Sequence, residues 1–197
     1  MPGQLNNLGK ALQSHFKCTG DLADISDAIS YLQKAVHLTP ENHADMPGWL
    51  NSLGTAFQRC FGHTGDLTDL TDAISHQQKG VNLTHEGHTA MPYWLNNIGL
   101  AFQSRFECTG DLDNISDAIS YHQKAVHLAP EGHVLMAYWL NNLESAFQNL
   151  FKHTGDLDNI SEAISCQQKA VHLAPKGYAF MSNLLTDLGN SLTWRFK

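Results

Sequence analysis

Basic residues are scarce in this chain. Only 12 Lys and Arg stand singly among 197 residues, against 19 Asp and Glu, for a formal charge of -7. A phosphate-backbone partner needs a clustered basic face, so nucleic acid is excluded as a ligand class. No stretch approaches the ~20 consecutive apolar residues of a membrane span. The opening MPGQLNNLGK has neither a charged n-region nor an apolar h-region. A membrane partner is therefore not expected, and the expectation is a soluble, cytoplasmic protein. Cysteine is sparse too: Cys18, Cys60, Cys108 and Cys166 form no CxxC pair, and a chain of this size can bury a core without disulfide staples. Reduced thiols follow. G-x-S-x-G, GxxxxGK and HExxH are all missing, so the sequence supports no enzymatic activity and no cofactor.

What the chain has is a repeat. Met1, Met46, Met91, Met136 and Met181 each open a copy of one 45-residue unit, and a repeat must be recognised before the fold is assigned. The divisions are 1–45, 46–90, 91–135, 136–180 and a terminal helix 181–197, read as one repeat domain over 1–197. In the third unit Leu95, Ile98, Phe102 and Phe106 recur at i, i+3, i+7 and i+11, one face of an α-helix. Thr109-Gly110 ends that helix, since Gly accepts a left-handed C-terminal conformation. A second helix carries Leu112, Ile115, Ala118, Ile119, Ala125, Val126 and Leu128, with Asp111 or Asn114 as its N-cap and Pro130 as its stop. Each unit is thus a helix hairpin with more apolar face than it can cover alone. Stacked neighbours complete the core, which makes the chain an all-α protein, an α-solenoid.

The pattern L-x-x-L-G-x-x-[FL], then G-D-L, then A-x-x-x-x-x-x-A-x-x-x-x-P resembles the tetratricopeptide repeat (TPR), whose usual period is about 34 residues. Ala28 to Pro40 spans twelve residues with Ala35 between them, as the family's second helix requires. The longer unit, WLNNLG…F…TGDL…ISDAIS…QKAVHLTP, resembles arrays in large fungal proteins. The resemblance implies a right-handed superhelix and a non-enzymatic protein-interaction scaffold. The sequence departs from the pattern at Glu144, where other units carry Gly9, Gly54, Gly99 and Gly189, and at His85, where the first unit has Pro40. Glu144 is expected to force a local shift or to snorkel outward.

In that family the first helix of each unit lines the concave groove. By resemblance, Asn6, Asn51, Asn96 and Asn141 face it, with Gln13, Gln58, Gln103 and Gln148 seven residues later on the same stripe. An Asn side chain offers a donor and an acceptor together and can pair with both halves of a peptide bond, so the row suits an extended peptide. Specificity would fall to residues that vary between units, with Tyr93 and Tyr138 as rigid, amphipathic anchors. The competing reading is that the Asn residues bridge neighbouring helices and recur because one unit was copied. Asn97, in the register of Asn7, Ser52, Asn142 and Asp187, is expected at the surface or on a second groove edge.

Twelve histidines invite a metal reading, but zinc needs four ligands each about 2.0–2.3 Å away, and same-register residues lie a helix pair apart. No metal site is expected, and the histidines read as solvated or helix-capping residues. The alternative to a peptide-binding scaffold is a self-associating homo-oligomer. Leu185, Leu188, Leu192, Trp194 and Phe196 of the terminal helix would present an open apolar face to a second copy. The chain also reads as one segment of a longer protein.

Overall fold

The computed structural model describes residues 1–85, 87–174, 177 and 181–195. Among them are nine helices and no strand: α1 Pro2–Thr19, α2 Leu22–His37, α3 Met46–Thr64, α4 Leu67–Asn82, α5 Met91–Thr109, α6 Leu112–Leu128, α7 Met136–Thr154, α8 Leu157–Leu173 and α9 Met181–Arg195. Two helices fall to each full repeat, as the hairpin reading requires. Contacts group the chain into two compact bodies, Met1–Ala101 and Phe102–Lys197. In the first, α1 packs on α2, α2 on α3 and α3 on α4; in the second, α6 packs on α7, α7 on α8 and α8 on α9.

The hairpin turns follow from T-G-D-L. Gly20, Gly65, Gly110 and Gly155 all take φ near +70°, where a side chain would be strained. The Gly20 N–H donates to Phe16 O at 2.7 Å, and the Gly65 N–H does the same to Phe61 O. One residue later, Asp21, Asp66, Asp111 and Asp156 cap the second helices, each accepting from the N–H two residues on at 2.9–3.1 Å. Such a cap contributes about 1 kcal/mol. At Asp66 the Thr68 N–H also holds the carboxyl below its usual range. Of the two possible caps for α6, Asp111 is the one used. Asn114 is buried, and its Oδ1 accepts from Arg105 Nε at 2.6 Å.

Close approach within the first two hairpins depends on glycine. A Cβ on Gly54 would lie 2.5 Å from Gln77 Cγ and 2.8 Å from the Ala73 carbonyl, and one on Gly9 would lie 2.6 Å from Leu32 Cγ. Around these contacts the first body buries Phe16, Ile25, Ala28, Leu32, Leu53, Ala56, Phe57 and Ala73. In the second body Leu140, Ala170 and Leu184 join α7, α8 and α9.

Candidate functional site

The first helices carry the proposed contact row, and the structure gives its amides work inside the fold. Gln13 Nε2 donates to Ser52 O at 3.1 Å and Gln58 Nε2 to Asn97 O at 2.8 Å. Gln103 Nε2 reaches Ser145 Oγ at 3.1 Å and Gln148 Nε2 reaches Ser191 Oγ at 2.8 Å. Each glutamine therefore ties its own repeat to the first helix of the next. Gln58 does more, because its Oε1 also accepts from Gln77 Nε2 at 3.0 Å. One side chain thus links α3, α4 and α5.

The asparagines divide. Asn96 is 1 % exposed, which turns its amide into the packed interior. Asn6 and Asn51 are buried as well, while Asn141 is half-buried. The expectation for Asn97 is corrected: it is buried rather than solvated, and its Nδ2 donates to Asn51 Oδ1 at 3.2 Å. Asn142 is buried too. A first helix is enclosed both by its hairpin partner and by the adjoining first helix, so its covered arc is wider than one apolar stripe. Tyr93 and Tyr138 stay open, at 44 % and 41 % exposure.

Open space lies beside the row in the first body. A cleft of ≈ 190 Å³ is lined by Lys10, Gln13, Ser14, Asn51, Ser52, Thr55, Arg59 and Tyr93. A second of ≈ 270 Å³ shares Lys10 and Ser52 with it and runs on to Asn6, Trp49, His88 and Trp94. Ser14, Ser52 and Thr55 donate back to the carbonyls of Lys10, Gly48 and Asn51. Their remaining lone pairs can accept, not donate. Arg59 Nη1 donates to Gln13 O at 3.3 Å. Among the described residues neither Lys10 nor Arg59 has a carboxylate partner. The cleft therefore offers cationic donors and hydroxyl acceptors under an exposed ring.

Most histidines are exposed, as expected, but three also brace the repeat junctions. His43, His88 and His133 stack on Trp49, Trp94 and Trp139 at centroid distances of 5.4, 4.9 and 4.7 Å. Each also accepts through Nδ1 from the N–H two residues on, at 3.1–3.2 Å. His63 packs edge-on against Phe16, and His153 against Phe106. A constant spacing of six residues from His to Trp was the available sequence signal. His122 is fully buried, and desolvation pushes its pKa down to about 4. No group of three or more His, Cys, Asp or Glu among the described residues is arranged to hold a metal ion.

Glu144 neither snorkels nor reaches water. It is 3 % exposed, and burial, reinforced by Asp187, raises its pKa to about 8. In α9, Leu185 is 52 % exposed although Leu50, Leu95 and Leu140 are buried in the same register. Leu188, Leu192 and Trp194 are half-buried, with Lys152 Nζ 5.1 Å from the Trp194 ring centre. Phe196 lies outside the described residues.

No protein-family model matches the chain, and no curated protein matches it. Solved structures do. A thermophilic TPR protein of Thermus thermophilus, TTC0263, is similar over 98 % of this chain and 100 % of its own, with a TM-score of 0.51 and 14 % identity. The fold is that of a TPR-like helical repeat. The MamA protein agrees, with a TM-score of 0.53, 18 % identity and coverage of 98 % and 91 %. A chain described as the DHF58 filament also aligns, with a TM-score of 0.54, 10 % identity and coverage of 95 % and 96 %. The TPR-like architecture explains why the first helices adjoin one another and why amides between them recur at the repeat period. Among the described residues no helix is long and apolar enough to cross a membrane.

Proposed function

We propose that the chain is a non-enzymatic protein-interaction scaffold of the cytoplasm that holds an extended partner segment along its first helices. The observation that carries this reading is the cleft lined by Tyr93, where, among the described residues, Lys10 and Arg59 have no carboxylate partner in a protein of net charge -7. A partner segment bearing an acidic side chain would satisfy those cations. Its main-chain N–H groups would donate to the hydroxyl oxygens of Ser52 and Thr55. Asn51 is the member of the asparagine row that borders this cleft, and Tyr138 is a separate exposed anchor of the second body. The glutamine row then acts behind the surface by holding first helices at fixed spacing. The 45-residue unit favours a relationship to the long-unit fungal arrays.

The test is selection from a random peptide library on the intact chain. Acidic, extended sequences should be enriched. Tyr93→Ala and Lys10→Ala should each weaken the selected peptides at least tenfold without changing the melting temperature, because both side chains are exposed at the cleft rather than packed in the core. Asn96 is unsuitable for such a test, since truncating a side chain so deeply buried would cost the fold. Recovery of no peptide class, or loss of binding only together with unfolding, would refute the groove reading.

A second reading is favoured by one observation: the Leu185 register, closed in three preceding first helices, is open in α9. An apolar face of this kind can take a second copy of the chain.

A further inference from the structure

Glu144 occupies α7 where the other first helices carry glycine, and it faces α9. The offset of 43 residues that pairs Gln148 with Ser191 across α7 and α9 also sets Glu144 opposite Asp187, one turn earlier on both helices. Two carboxyls therefore face each other across a helix contact, and the one on α7 is closed off from water. Its Oε1 and the amide of Gln167 on α8 are buried, and the Gln148 and Gln167 side chains hydrogen-bond to the Glu144 carboxyl, which offsets part of the burial cost. The cation acting on Glu144 is Lys152 of its own helix, and that ammonium sits over the Trp194 ring. From α8 the Cys166 thiol is the titratable neighbour, and burial pushes it up to about 11, so it stays neutral through the physiological range. Against this cluster α9 buries little, only Leu184 and Ser191 among its described residues.

We propose that α9 is a proton-controlled latch: it stays docked on α7 and α8 while the Glu144 carboxyl holds its proton, and it releases when Glu144 ionises opposite Asp187. The physical reason is that like charges in a water-poor contact repel strongly, and an isolated buried carboxylate is itself costly. Release uncovers Leu140 and Ala170, the apolar residues that Leu184 covers. The sign follows from linkage. The docked state holds a proton that the undocked state gives up near the ordinary pKa of 4.5, and the docked pKa is raised to about 8. Docking is therefore strongest below about pH 4.5, weakens as pH rises between the two values, and levels off above about 8.

Amide hydrogen exchange over residues 181–195 of the full chain, corrected for intrinsic rates and referred to the α3 amides, tests this directly. Between about pH 5 and about pH 8 the relative protection of α9 should fall by up to about tenfold per pH unit. Glu144→Gln should flatten the dependence. Glu144→Gly, which restores the residue of the other repeats, is the second variant should the amide disturb folding. Asp187→Asn should bring the plateau to lower pH, because it removes a charge that raises the Glu144 pKa. Protection of α9 that is flat in the wild type, or that falls equally in the wild type and both Glu144 variants, would overturn the proposal.

Discussion

Gln77 Nε2 donates to Gln58 Oε1 at 3.0 Å, and this contact joins the two helices of the second repeat one turn from Gly54, against which Gln77 also packs. Gln58 then passes its own donor to Asn97 O. The two bonds form a short amide chain running from a second helix, through a first helix, to the first helix that follows.

Removing the middle of that chain should be expensive. Gln58→Ala leaves the almost fully buried Gln77 donor without its acceptor and Asn97 O without its donor. Unfolding in urea should show a loss of about 2–3 kcal/mol. In a Gln77→Leu background, which copies Leu32 of the first repeat, the same substitution should cost clearly less. Equal losses in the two backgrounds would show that the contact does not couple the helices.

Acid should destabilise the second body through His122. Its pKa of about 4 in the folded state lies below the ordinary 6.5, so the unfolded chain binds a proton that the folded chain refuses. This contribution is fully present above about pH 6.5 and is lost as pH falls towards 4, by up to about 3 kcal/mol. His122→Gln, which copies the register of Gln77 and Gln167, should remove that part of the pH dependence. Denaturant midpoints measured for both proteins from pH 7 to pH 4 provide the check, and parallel curves would contradict the assignment.

Self-association, if it uses α9, should depend on Leu185. Light scattering is expected to show mass rising with concentration for the wild type and a constant monomer mass for Leu185→Asp. A concentration-independent monomer in both would remove the end-face reading. Persistent oligomers in the variant would move the contact elsewhere.

Helix positions and their ends were legible in the sequence because they rest on local chemistry. Glycine at a left-handed turn and aspartate at an N-cap act within a few residues, and both recur four times. The interior amides were harder to read. A helical wheel drawn from Leu95, Ile98, Phe102 and Phe106 marks only the apolar stripe, whereas Asn97 is covered on a flank by the neighbouring first helix. Its burial is stabilised by a hydrogen bond to Asn51, which leaves no hydrophobic signature. The stacking of His43, His88 and His133 on tryptophan was missed for a similar reason: it is set by a spacing of six residues, which matches neither helical nor strand periodicity. At Glu144 the departure from glycine was visible, but not the direction of its side chain. That direction depends on Gln167 and Asp187, which stand on two other helices.

The acceptor chosen by each bridging glutamine bears on how such a chain can change. Gln13 and Gln58 bind main-chain oxygens, which every residue type provides, so these two bonds themselves place no demand on the side chain at position 52 or 97, although Asn97 is held separately by Asn51. Gln103 and Gln148 bind serine hydroxyls and lose their acceptors if either serine is replaced by an apolar residue. The glutamine bonds of the early repeats therefore survive a change of the residue they meet, whereas those of the later repeats are matched to the residue that follows them.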